Sequence, residues 1–307
     1  MAIAVALVFL LAMAVSTPVA ANTEIHVYPG QSIQLAVNSA IPGDVIIVHA
    51  GEYHQSVVIS TNNITLKGEE GAILDGTPPA DTDTTLIGDG IELEAGVGGV
   101  TIEGLEIRNY SKGIILFGAS NNSVKKNKVA DNGWYGIWLS FGANDNEVIE
   151  NEVTGSTGDG ISVFLSTGNL IKKNKVTDNG WGIVLGTARG VEAGSANDNE
   201  VIRNEVTGST GDGILVWLST GNLIQKNKVT DNGRGIALEY KTNDNEVLKN
   251  EVAGSTNQGV LVRWWSTGNL IKKNKVTDSG QLDLYDDSVP LPLDNTWEKN
   301  KYETANF

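Results

Sequence analysis

The chain has 307 residues, 37 of them acidic and 22 basic, so its formal charge is −15, and it contains no cysteine. That surplus of carboxylates excludes nucleic-acid and anionic-membrane partners, which need clustered Lys and Arg to displace counterions. The missing thiols exclude disulfides, thiolate metal sites and cysteine nucleophiles.

In chain order, Met1 to Val15 is wholly apolar, and Thr17-Pro18-Val19-Ala20-Ala21 follows with small residues suited to cleavage after Ala21. Residues 1–21 therefore read as a secretory signal peptide without the usual basic start. The apolar run is shorter than the roughly 20 residues that span a bilayer, so the mature protein is expected outside the cell or on its surface. Residues 22–307 read as one continuous body, with irregular coils and a cap over 22–121 and regular coils over 122–307. Ser32 is a ready N-cap for a short helix ending near Ala40, placed to cover the open N-terminal end of the core. Strands are expected at Val45–Val48, Val57–Ile59, Ile64–Leu66, Val100–Ile107 and Gly113–Leu116. Asn63, Asn109 and Asn121 each open an N-x-(Ser/Thr) sequon, compatible with a glycoprotein.

From Asn122 the chain repeats itself. The template Asn, one residue, an apolar residue, two residues, Asn, one residue, Val or Tyr restarts at Asn146, Asn169, Asn199, Asn222, Asn245, Asn269 and Asn295. A period of about 23 residues means a solenoid whose coils cannot bury a core alone. In Gly136-Ile137-Trp138-Leu139 the strand alternation turns Ile137 and Leu139 inward and Trp138 outward. Two further inward columns run from Val124 to Trp297 and from Val129 to Tyr302, which implies three sheets of parallel strands stacked at about 4.8 Å per coil. The series Asn127, Asn151, Asn174, Asn204, Asn227, Asn250, Asn274 and Asn300 suits a ladder of amides at a left-handed bend. Lys128, Glu152, Lys175, Glu205, Lys228, Glu251 and Lys275 alternate in sign, so neighbouring coils form outward ion pairs worth about 0.2–1 kcal/mol each. The turns alternate as well, Gly-Ser-Thr with Asp-Asn-Gly, so the duplicated unit is a two-coil block of about 46 residues.

The lead-in Ile25-His26-Val27-Tyr28-Pro29-Gly30-Gln31-Ser32-Ile33-Gln34, then Pro42-Gly43-Asp44 and Gly51-Glu52-Tyr53, followed by Asn-x-Val-x-x-Asn coils, resembles the pectate-lyase-like right-handed parallel β-helix superfamily. Within it the chain is most similar to the NosD-like exported repeat proteins. The resemblance covers about residues 23–307. It implies an all-β fold, a single-stranded right-handed parallel β-helix with a short N-terminal capping helix. The superfamily includes polysaccharide lyases, glycoside hydrolases, epimerases, adhesins and surface proteins, so function has to be argued from the site.

The outward positions of the Gly-Ile-x-Leu sheet read Ile115, Trp138, Ser162, Val184, Leu215, Ala237 and Leu261, and the next column reads Phe117, Ser140, Phe164, Gly186, Trp217, Glu239 and Arg263. A face that should meet water is apolar and aromatic, which marks an interaction surface. Tyr135, Trp138, Phe164, Trp181 and Trp217 are the expected carbohydrate contacts, with the insertion Thr187–Ala196 walling one side. The competing use of this face is packing against another subunit.

The candidates for catalysis are Asp159, Asp212, Arg234, Glu239 and Arg263. Asp159 and Asp212 stand two coils apart, roughly 9.6 Å at the interstrand spacing, at the limit for an inverting glycosidase. Both lie in an identical Gly-Ser-Thr-Gly-Asp-Gly turn, and turn chemistry accounts for them. Arg234 and Arg263 near Glu239 and Asp212 give the acid-plus-base set a Ca²⁺-dependent lyase would need, but no irregular catalytic segment accompanies them. The Asp-Asp pair with Gly-His-Gly and Arg-x-Lys associated with polygalacturonases is missing from the sequence. His26, His49 and His54 all precede the aromatic face, and Met1 and Met13 fall in the leader, so a copper role suggested by the NosD name lacks soft ligands. No cofactor is expected, with Ca²⁺ reserved for the lyase alternative.

These residues point to an exported, non-catalytic protein that binds polysaccharide or joins a surface assembly through its aromatic face. The alternative is a polysaccharide lyase or glycoside hydrolase acting on an extracellular glycan, uronic-acid polymers included, in the same groove. The last coil, Asn295 to Phe307, shows no capping helix and invites self-association through strand edges.

Overall fold

The computed structural model describes residues 22–77, 88–187, 194–287 and 294–307. The expected signal peptide lies outside these residues, as does the middle of the insertion after Gly186. Among the described residues the strands form three parallel sheets. Sheet 1 has 12 strands, from Glu24–Val27 to Thr296–Glu298; sheet 2 has 10, from Gly51–Tyr53 to Lys275–Thr277; sheet 3 has 10, from Val57–Ile59 to Leu284–Asp287. A coil gives one strand to each sheet, as Ser123–Lys125, Lys128–Ala130 and Tyr135–Ser140 do in turn. Parallel crossovers of this kind are right-handed, and about 11 turns build the expected right-handed β-helix.

The core is the stack of inward columns. Val124, Val148, Ile171 and Val201 from sheet 1, Val129, Val153 and Val176 from sheet 2, and Ile137, Leu139, Ile161 and Val163 from sheet 3 are all 0% exposed. Helix α1 (Ile33–Ser39) packs Ile33, Ala36 and Val37 on the first coils, and the Ser32 side chain accepts from the Leu35 N–H as the N-cap reading requires. Hydrogen-bonded pairing continues through residue 121 without a slip. The expected strand over Val100–Ile107 is two, Thr101–Glu103 and Glu106–Arg108, bent at Gly104 with φ 73°. There Leu105 takes the ladder place and its N–H reaches Asn127 Oδ1 at 3.1 Å. At the other end the inward columns fade: Trp297 is half-buried and Tyr302 is 46% exposed.

The Asn ladder forms, with one correction to its cause. The left-handed residue at each bend is the one before the ladder Asn: Lys126, Glu150, Lys173, Arg203, Lys226, Lys249, Lys273 and Lys299 all have positive φ. The Asn itself is the linker. Asn151 Nδ2 donates to Asn174 Oδ1 at 3.0 Å and to Val124 O at 2.9 Å, while its own Oδ1 accepts from Asn127 N and Nδ2. The template's first Asn builds a second such ladder, Asn122 to Asn146 to Asn169 to Asn199 and onward. Each amide in these two ladders is satisfied, avoiding the about 1–3 kcal/mol that an orphaned one costs.

The two-coil period has a steric origin. Asp131, Asp178 and Asp231 adopt positive φ, and their carboxylates lie where a Cβ on Gly155, Gly208 and Gly254 in the next coil would stand. Asp145, Asp198 and Asp244 press likewise on Gly168, Gly221 and Gly268. An Asp in one coil therefore demands Gly in the next, and the sequence alternates.

The alternating charges pair as expected, Lys175 with Glu152 at 2.7 Å and Lys228 with Glu205 at 3.1 Å, on half-exposed side chains. The three sequon residues all sit at corners with positive φ. Asn63 and Asn121 are exposed, whereas Asn109 Nδ2 donates to Asp75 Oδ1 at 3.0 Å. Among the described residues no helix is long and apolar enough to cross a membrane.

Candidate functional site

Because the register is constant, the outer face of sheet 3 is organised in columns. Asp89, Lys112, Tyr135, Asp159, Trp181, Asp212 and Arg234 follow one another coil by coil in the first. Trp138, Ser162, Val184, Leu215 and Ala237 form the second. Phe164 lies in the third, in which Trp217, Glu239 and Arg263 also stand. The columns are those read from the sequence, but the face divides into two halves of opposite character.

The half toward the C-terminus is closed. Trp217 is 5% exposed and packs with Val184, Leu215, Ala237 and Leu261, with Trp181, Leu218, Tyr240, Trp264 and Tyr285 against them. Its ring stacks on Tyr240 with centroids 5.4 Å apart and meets Trp264 edge-on at 5.9 Å. Side chains from the following corner shield it, so Trp217 is not the open sugar platform the sequence suggested.

Four of the five catalytic candidates are bound to one another in this half. Arg234 Nε lies 2.7 Å from Asp212 Oδ1, and Arg234 Nη1 and Arg263 Nη2 each lie 2.7 Å from Glu239 Oε1. Arg234 reaches Glu239 past the small Ala237, which occupies the intervening position. Both carboxylates are fully buried, and the Arg263 guanidinium lies 3.7 Å over the Trp264 ring. Two acids and two guanidinia in mutual contact balance their charge, and each desolvated carboxylate has a cation beside it. This arrangement is a buried brace of paired charges.

The half around Asp159 is open. Gly133, Trp134, Tyr135, Thr157, Gly158, Asp159 and Trp181 line a cleft of about 440 Å³. Tyr135, Trp138, Asp159, Ser162, Phe164, Gly186 and Thr187 line a second, of about 210 Å³. The two share Tyr135 and Asp159, so Asp159 stands at their junction. Glycine, serine and threonine lie between rings: Tyr135 stacks on Trp138 with centroids 5.2 Å apart, and Phe141 stands edge-on to Phe164 at 5.1 Å. Gly194, at the far side of the insertion, lies against the Phe164 ring, which places that end of the expected wall; residues 188–193 lie outside the described part.

Asp159 and Asp212 are not turn residues. The positive φ of each Gly-Ser-Thr-Gly-Asp-Gly segment belongs to its first glycine, Gly155 or Gly208. The two acids are the first residues of strands Asp159–Phe164 and Asp212–Trp217. Trp181 stands between them in the column, so they do not face one another across a water as an inverting pair must. Asp159 is 6% exposed and forms no ion pair among the described residues. Burial pushes its carboxyl up to about 6, opposed by its hydrogen bond with Ser162. Burial, and then the charge of Asp159, also raise the Tyr135 phenol above its usual value.

Trp134, 64% exposed and lining the larger cleft, was missed by the sequence reading. The signal was present: Asp131-Asn132-Gly133-Trp134-Tyr135-Gly136 carries one residue more than Asp178-Asn179-Gly180-Trp181-Gly182.

Among the described residues Glu52, His54 and Asp75 could bring three ligand atoms to one metal ion. Arg108 already occupies that cluster, with Nε 2.7 Å from Asp75 Oδ2 and Nη2 3.3 Å from Glu52 Oε1. Burial works to raise the Asp75 carboxyl, but hydrogen bonds from Asn109, Thr77 and Arg108 outweigh it and hold the group well below the usual range. His26 Nδ1 and His49 Nε2 contact each other at 2.9 Å, with Tyr28 stacked on His49.

The fold recurs in solved structures. A double mutant of the periplasmic alginate epimerase AlgG superposes with a TM-score of 0.67 at 18% identity, over 85% of this chain and 69% of that one. The A-module of the Azotobacter vinelandii mannuronan C-5 epimerase AlgE4 gives 0.64 at 15%, over 89% and 92%. XylC in complex with xylose gives 0.61 at 12%, over 84% and 70%. At such identities the likeness is one of fold. No curated protein sequence matches the chain. The profile of the family described as periplasmic copper-binding protein (NosD) matches residues 37–190 and 184–307, and the chain belongs to that family.

Proposed function

We propose that this protein is exported and binds a polysaccharide, without cleaving it, in the cleft around Asp159 on the outer face of sheet 3. The observation that carries the reading is the open pair of clefts walled by Tyr135, Trp138, Phe164 and Trp181 over a floor of small residues. Flat rings set apart by small residues match the apolar faces of sugars, and the polar floor offers partners for hydroxyls. The coil rise of about 4.8 Å is close to the length of one pyranose unit, so a glycan laid along the axis can advance one sugar per coil. The fold it shares with polysaccharide epimerases supports the reading at the level of scaffold alone.

Binding without cleavage is favoured because glycoside hydrolysis needs two carboxyl groups flanking one bond. Among the described residues Asp159 is the sole carboxylate lining these clefts, and Asp212, the expected partner, is held by Arg234. Titrating the protein with a panel of polysaccharides by calorimetry, while assaying reducing and unsaturated ends with and without Ca²⁺, tests this. Binding with no new chain ends is the expected result; release of either kind of end overturns the non-catalytic reading, and no binding to any polysaccharide overturns the glycan.

The copper named in the family's description does not fit the residues present. Copper(I) sites draw on thiolate or thioether sulfur, and copper(II) sites on clustered imidazoles with other nitrogen or oxygen ligands. Here cysteine is absent from the sequence, His26 and His49 bond to each other, and the cluster at His54 is filled by Arg108. No step of the proposed function runs through a metal.

A further inference from the structure

We infer that the cleft at Asp159 is a site for a positively charged group carried on the glycan, an amine-bearing sugar unit, and that it rejects uronic-acid polymers. The inference rests on the glycan reading above and names its chemical class.

Three observations converge on it. Asp159 is more than nine-tenths buried yet lines both clefts, and among the described residues no Lys, Arg or His lines either. The other acids of its column are neutralised by the adjacent coil: Asp89 by Lys112 at 3.1 Å and Asp212 by Arg234 at 2.7 Å. The positions on either side of Asp159 hold rings instead, Tyr135 before and Trp181 after. A desolvated carboxylate without a counterion costs free energy, and electron-rich ring faces beside it favour a cation and not an anion. What the column lacks at this coil is a positive charge, and the clefts leave room for one to enter with a ligand. The chain's charge of −15 draws cations and repels polyuronates at longer range.

Among the described residues the groups that face Asp159 are few. Tyr135 and Ser162 flank it, Lys112 lies one coil beyond Tyr135 with its ammonium 5.7 Å over Trp138 and bound to Asp89, and the Asp212–Arg234 pair lies beyond Trp181. With the neighbouring pairs closed, Asp159 is the group whose ionisation should set ligand affinity.

The test compares oligomers of equal length by calorimetry: β-1,4-linked glucosamine, its N-acetylated neutral counterpart, and an oligouronate, with choline and free glucosamine as unlinked amines. The expected result is that the glucosamine oligomer binds at least about tenfold tighter than the neutral one, and the oligouronate weakest. Asp159→Asn should abolish that preference, so that the charged and neutral oligomers bind alike, and Trp181→Leu should weaken both. Equal affinity for charged and neutral oligomers, tighter binding of the oligouronate, or a preference that survives Asp159→Asn overturns the inference while the glycan reading stands. Binding of choline lost in Asp159→Asn, with no oligomer bound, supports the cation site and overturns the glycan as its source. Because Asn is isosteric with Asp, urea unfolding of Asp159→Asn confirms that the comparison is made on folded protein.

Discussion

The segments Gly155–Gly160 and Gly208–Gly213 have the same six residues, Gly-Ser-Thr-Gly-Asp-Gly, and the fold gives them opposite roles. Asp212 meets Arg234 in the next coil and becomes part of a buried brace. Asp159 meets Trp181 in the next coil and, among the described residues, remains without a cation at the junction of two clefts. Identical local sequence thus produces a structural carboxylate and a candidate binding carboxylate. The residue stacked one coil further on, more than 20 positions away in sequence, decides between them.

The comparison can be broken most forcefully at the brace. Arg234→Met removes the cation shared by Asp212 and Glu239 and leaves buried charge, so the unfolding free energy in urea should fall by about 3–5 kcal/mol. If the loss is under about 1 kcal/mol, the brace is not a buried network.

Asp159→Asn should act in the other direction. A carboxyl raised to about 6 in the fold, against about 3.9 unfolded, disfavours the folded state once both forms are ionised. The contribution of this group is therefore fully present below about pH 4 and lost as pH rises through about 6. At pH 8 the Asn variant should be more stable than the parent by about 2–3 kcal/mol, with the two alike at pH 4; urea titrations at both values check the sign.

Trp181→Arg sharpens the comparison by giving Asp159 the neighbour that Asp212 has. The carboxyl of Asp159 should drop by about 1–3 pH units, read by carboxyl NMR titration, and glycan binding should be lost as the guanidinium fills the cleft. An unchanged titration would show that position in the column does not control the acid.

Lys175→Ala sets the floor of the scale. Its pair with Glu152 is half-exposed on both sides, so the cost should stay below about 1 kcal/mol and shrink in high salt, again by urea unfolding.

Much of the architecture was legible in the sequence because a solenoid writes its core as a period. Inward columns, ladder amides and alternating outward charge each recur every coil, and recurrence identifies them without a structure. The left-handed corner residues were misplaced by one position, since Lys, Glu and Arg before the ladder Asn carry no propensity for positive φ; the stacking imposes it. At the candidate site Trp138 and Phe164 lie on the face that alternation indicates, Tyr135 and Trp181 open their strands instead of standing in turns at its edge, and Trp217, read as open surface, is buried. Alternation along a strand says which side of the sheet a ring takes, and nothing about the corner side chains that cover it.

The sequence by itself determined the coil, its period, the three inward columns and the face on which function would lie, because these follow from strand alternation and from repetition. Only the tertiary structure decided which part of that face is open and which acid has a cation stacked in the next coil. Both depend on the side chain stacked above or below in the neighbouring coil, and burial in that stack is what turns one carboxylate into a brace and its twin into a site.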